Sequence, residues 1–179
     1  MYFFSGATMN TNSPISSQAI REFVIAGHGN LPRVREMLDE TPKLLNVKYP
    51  WGENDWESAI QAAAHLGSVS VAEYLLSRGA PLEICTAAML GRRAEIESLL
   101  TTAVTLIQQN GAHGIPLLAH SAFNGDIDLF SFLMSRGARS GISFALHNAV
   151  ASEHAELAKW ILDNTKPDLA WKNFQEKTS

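Results

Sequence analysis

The stretch that most constrains this chain is Ser58–Leu82, SAIQAAAHLGSVSVAEYLLSRGAPL. Ser58–Leu66 is rich in alanine, and Val69–Arg78 carries Val71, Ala72, Leu75 and Leu76 along one helical face. Gly67 separates the two parts. Gly79 follows the last apolar turn, where a helix end takes a residue free to adopt positive φ. The stretch therefore predicts two short helices joined by a turn. A pair of about 25 residues cannot bury its own apolar face and needs a neighbour on each side.

The chain supplies those neighbours. LLSRGA at Leu75–Ala80 returns as LMSRGA at Leu133–Ala138, each at the same interval after a glycine, Gly67 and Gly125. In the same register Gly29 precedes Met37-Leu38, Gly91 precedes Leu99-Leu100, and Glu153 takes the glycine position before Ile161-Leu162. Small pairs stand just before the turn position: Ala63-Ala64, Ala87-Ala88, Ser121-Ala122 and, in the last copy, Ala149-Val150. Small residues there let successive first helices lie close together.

In this register the chain resembles the ankyrin-repeat family, whose motif runs roughly T-P-L-H-x-A-A-x-x-G-x-x-x-x-V-x-x-L-L-x-x-G-A. Ser58 and Ala59 stand where Thr-Pro would, and Gln61 takes the His position. The fourth copy keeps Pro116-Leu117 and Arg136-Gly137-Ala138; the fifth keeps Leu146-His147 and Ala149. No copy holds an intact Thr-Pro-Leu-His, which marks a divergent member. The resemblance implies an all-α solenoid of stacked helix-turn-helix units with short or missing β-hairpin fingers. Units are expected at about 17–45, 58–80, 82–104, 115–138 and 143–165, with the start of a further finger at 168–179. Residues 1–14 are expected to be a flexible N-terminal tail, and Met9 offers a second start.

The linkers differ. Lys43–Glu57 holds the turn residues Pro50, Gly52, Asn54 and Asp55 flanked by Tyr49, Trp51 and Trp56, and corresponds to a finger. Gly79-Ala80-Pro81-Leu82 runs straight into the third unit, so a finger is trimmed there. After the third unit, Ile96, Leu99, Leu100, Ala103 and Ile107 fit one helical face. A second helix reaching Gln109 is therefore expected, in preference to a break near Ala103.

With 46% apolar residues the chain is not wholesale disordered, and a net charge of −4 without a Lys/Arg run argues against nucleic-acid binding. The single cysteine, Cys85, permits no internal disulfide and reads as a small buried hydrophobe. No apolar run approaches a membrane span, and MYFFSGATMN lacks the basic region of a secretory signal. A cytoplasmic monomer is the expectation.

Chemistry-bearing patterns are sparse. His28, His65, His113, His120, His147 and His154 are scattered over the units, with no pair spaced for one helical face, so neither metal nor cofactor is expected. Gly27-His28-Gly29 lacks the strand and longer glycine pattern of a phosphate loop. No nucleophile-base pairing can be placed, and the chain reads as non-catalytic. The remaining signal is surface. Tyr49, Trp51 and Trp56 near a finger tip either pack on the stack or meet a partner. The family geometry also puts His65, Leu66, Met89, Leu90, Phe123 and Asn124 along a groove with few charges. Together these predict binding of a protein or peptide by a recognition or scaffold module. A regulatory or inhibitory subunit of one enzyme is the alternative, and an enzyme, small-ligand protein or secreted effector stands behind it.

Overall fold

The computed structural model of the chain describes residues 14–172. Helix α1 (Ser17–Gly27) opens on Ser16, whose hydroxyl accepts from the Ala19 amide, and α2 (Leu31–Glu40) opens on Asn30, which accepts from Arg33. Helix α3 (Ala59–His65) begins with a reciprocal box: Ser58 caps the Gln61 amide and the Gln61 side chain returns to the Ser58 amide. Then come α4 (Val69–Ser77), α5 (Ile84–Met89), α6 (Arg93–Thr102), α7 (Leu117–Ser121), α8 (Ile127–Ser135), α9 (Ile142–Ala151) and α10 (Ala155–Asn164). Asp126 caps α8 through the Leu129 amide.

Consecutive helices pair, and the first helices α1, α3, α5, α7 and α9 pack on one another in a row. The small residues account for the closeness of that row. Ala63, Ala64, Ala87, Ala88, Ser121, Ala122 and Ala149 are all buried. A side-chain carbon on Gly27 of α1 would meet the Ala59 carbonyl oxygen at 2.5 Å. The turns repeat as well. Gly67 has φ +68°, and a side chain there would also strike the Phe123 ring at 2.7 Å. Glu153, in the degenerate copy, adopts the same left-handed backbone with φ 61°.

Two apolar clusters form the core. One gathers Phe23, Leu38, Ile60 and Leu75 of the first four helices with Leu44 of the 3-10 turn after α2. The other gathers Leu118, Phe130, Leu133, Leu146 and Ile161 farther along. Helix α5 straddles them: Met89 belongs to the first, Ile84 and Cys85 to the second.

A finger is present between α2 and α3. Strands β1 (Lys48–Gly52) and β2 (Asp55–Ser58) pair antiparallel with Lys48 opposite Ser58, Tyr49 opposite Glu57 and Pro50 opposite Trp56. Between α4 and α5 the chain passes directly, as expected. The linker after α6 corrects the sequence reading. The helix does not reach Gln109: it ends at Thr102, Ala103 is extended (φ −148°, ψ 94°), and a 3-10 turn spans Val104–Gln108. The bend leaves Val104 exposed and folds Ile107 back onto the second cluster, burial a straight helix would forgo. Asn110 then bridges to Pro116 in antiparallel fashion, a vestige of a second finger. Of the expected N-terminal tail only Pro14 is described. Of the further finger at 168–179, residues 173–179 lie outside the described residues.

Candidate functional site

The finger alternates, as a strand must. Tyr49, Trp51, Asp55 and Glu57 turn toward the helix row; Lys48, Pro50, Gly52 and Trp56 turn away from it. The two tryptophans therefore have different fates. Trp51 is half-buried, stacks edge-on against Tyr49 at 4.8 Å, lies under the Arg21 guanidinium and donates its indole N–H to Glu57 Oε2 at 2.6 Å. Trp56 is 54% exposed beside Pro50, its cross-strand partner.

Behind the finger lies a polar cluster that sequence reasoning missed. Glu57 is fully buried, a costly place for a carboxylate unless it is closely partnered. Its Oε1 lies 2.7 Å from His65 Nε2, 3.4 Å from His113 Nε2 and 3.7 Å from His28 Nε2. Burial pushes the Glu57 carboxyl up. The hydrogen bond from His65 and the fields of His65, His28 and His113 outweigh it and hold the group below the usual carboxylate range. The residues come from four places: His28 from the turn after α1, Glu57 from β2, His65 from the end of α3, and His113 from the turn before α7. His28 Nδ1 donates to the Val24 carbonyl at 3.1 Å. His113 Nδ1 lies 2.7 Å from Asp55 Oδ2, and the same carboxylate accepts from the His113 amide. The side-chain hydrogen bond from His113 is the main reason the Asp55 carboxyl is held low. The rings stand edge to face, His28 to His65 at 5.0 Å and His65 to His113 at 5.2 Å.

The expected groove is only partly a surface. Leu66 is exposed, and Leu90, Phe123 and Asn124 are half-buried. Met89 and His65, expected on the groove, are instead buried at 1% and 7% exposure. Met89 fills the seam between the two apolar clusters, and His65 turns into the polar one. Asn124 is also engaged, its side-chain amide donating to the Ala88 carbonyl at 2.5 Å. Two other groups read from the sequence sit inside the stack. Cys85 is buried, and burial together with the Glu83 charge pushes its thiol up to about 12, so it is a packing residue rather than a nucleophile at neutral pH. His120 is 1% exposed and donates Nδ1–H to the Pro116 carbonyl at 3.0 Å.

Residues 55–87 match the sequence profile of the ankyrin repeat. No curated protein matches the chain at a significant level. The matched segment runs from β2 through α3 and α4 to α5, the same finger, helix pair and next first helix that the packing defines. No described helix is long and apolar enough to cross a membrane. A row of helix pairs with a finger between two of them, left-handed turns at the registered positions and this profile match together show an ankyrin-like stack of helix-turn-helix units that carries an ankyrin repeat at residues 55–87.

Proposed function

We propose that the chain is a non-catalytic recognition module that binds a protein or peptide through the outward face of its finger. Trp56 is the anchor with Pro50 beside it, and Leu66, Leu90 and Phe123 extend the surface along the first-helix row. One observation carries the reading: a tryptophan 54% exposed on a paired hairpin that is held in place from behind. Tryptophan is enriched where interfaces concentrate their binding energy, because a large rigid ring removes much apolar area from water at little entropic cost. Leu66 supports the extension, being 44% exposed next to the turn residue Gly67, which lies against Phe123. Tyr49, Trp51, His65 and Met89 are assigned to holding the surface in place, and Asn124 to joining neighbouring helices.

The test is affinity capture with the full chain, identification of the retained protein, and binding measured with that protein for Trp56→Ala. The substitution is expected to weaken binding by at least about 2 kcal/mol, some thirtyfold, with an unchanged helical circular-dichroism signal. Full binding by the variant would move the interface off the finger. No specific capture across a range of salt concentrations would leave the recognition reading without a partner and overturn it.

A further inference from the structure

We propose that His28, Glu57, His65 and His113 form a binding site for one divalent transition cation of the Zn2+ type. The donor set has the right chemistry: imidazole nitrogens and one carboxylate oxygen, the usual non-thiolate ligands of Zn2+. The ligating atoms of His28, Glu57 and His65 all lie within 4.8 Å of one another, and His113 Nε2 borders that group, 3.4 Å from Glu57 Oε1. Tetrahedral ligands about 2.0–2.2 Å from a metal stand about 3.3–3.5 Å apart. The separations of 2.7 and 3.7 Å from Glu57 Oε1 to His65 and His28 lie within about 1 Å of that, and His113, 3.4 Å from the same oxygen, would have to turn farther inward to complete the set.

The atoms around the cluster choose which face each ligand presents. The Val24 carbonyl and the Asp55 carboxylate can only accept, so they fix the proton on Nδ1 of His28 and His113. Nε2 of each ring is then the nitrogen turned toward Glu57. Trp51 occupies Glu57 Oε2 and leaves Oε1 facing the three rings. This is the outer-shell arrangement that orients metal-ligating histidines. Among the described residues His65 Nδ1 has no hydrogen-bond partner, so Nε2, at 2.7 Å, is the nitrogen that bonds Glu57 Oε1. A cation seated here would replace that hydrogen bond and take the inward nitrogens and Oε1 as its ligands. Access is open at the rim, where the side chains of His28 and His113 are 28% and 33% exposed. The bound ion would tie the first helix turn, the finger, the end of α3 and the turn before α7 into one unit.

The experiment is calorimetric titration of the chelator-treated full chain with ZnCl2, with the visible spectrum of Co2+ as the geometric readout. One ion per chain and a tetrahedral-type Co2+ spectrum are expected. His28→Gln and Glu57→Gln should each weaken Zn2+ binding at least tenfold, and Asp55→Asn and Trp51→Phe, which touch only the outer shell, by roughly 10–100-fold. His147→Gln, remote from the cluster, should leave binding unchanged. Circular dichroism monitors the fold throughout. If Glu57→Gln unfolds the chain, His28→Gln and His113→Gln at the exposed rim still decide the matter. Absence of saturable binding, or saturable binding indifferent to the His28 and His113 substitutions, overturns the site.

Discussion

Glu153 shows how strongly the turn geometry rules over residue type. It takes a left-handed backbone that glycine takes at Gly67, Gly91 and Gly125. Such a conformation costs a residue with a side chain about 1–2 kcal/mol, part of which glycine returns through its freer unfolded chain. Glu153→Gly is therefore expected to stabilise the fold by roughly 0.5–1 kcal/mol in urea unfolding. Gly67→Ala should cost about 1–3 kcal/mol, since it adds strain at positive φ and a collision with Phe123. His120 makes a different prediction. Burial pushes its pKa from 6.5 down to about 4, the His65 charge adds to this, and the Pro116 carbonyl opposes it. The unfolded chain thus takes up a proton near pH 6.5 that the folded chain refuses until about pH 4. The contribution of the neutral ring is complete above the unfolded value and is lost as pH falls between the two. Wild-type stability should drop by up to about 3 kcal/mol more than that of His120→Gln between pH 7 and pH 4, measured by urea unfolding at each pH.

At the scale of elements, the finger and the helix pairs respond differently to substitution. Trp51 and Trp56 are five positions apart on one hairpin, yet only the first is tied to the stack. Trp51→Ala strips the Glu57 carboxylate of a buried hydrogen bond and should lower stability by about 2–5 kcal/mol, whereas Trp56→Ala should leave it within about 0.5 kcal/mol. Equal melting temperatures for the two variants would contradict the assigned facing of the strands. Leu75 of α4 is fully buried, and Leu75→Ala should cost about 2–5 kcal/mol in denaturant unfolding. A markedly smaller loss would mean that the apolar face of α4 is not packed as described. The box at α3 was written in the sequence as Ser58-x-x-Gln61, a pattern that predicts a helix start independently of any repeat register.

At the scale of the whole molecule, stability is a property of neighbours. A first helix in the middle of the row packs on a helix at each side, as α5 does between α3 and α7. In such a stack the interfaces between units supply much of the stability. Amide hydrogen exchange should therefore be slowest in α3, α5 and α7 and faster in α10, which packs mainly against α9 and α8. Uniform protection along the row would show that the stack opens as a single unit. The sequence by itself determined the helix pairs, their left-handed turns, the finger between Lys48 and Ser58 and the direct passage from α4 to α5. Helical period, turn residues and small pairs act over a few positions, and those distances are visible in a string of letters. Tertiary structure alone decided the rest. Which tryptophan faces outward depends on how the hairpin seats against α1 and α3, since alternation defines two faces without choosing between them. The break at Ala103 was decided by burial of Ile107, a contact with another part of the chain. Met89 and His65 were drawn inward by neighbours that no local pattern records. No described helix carries a histidine pair spaced for one face, whereas His28, His65 and His113 come from separate units and meet Glu57 only when the units stack.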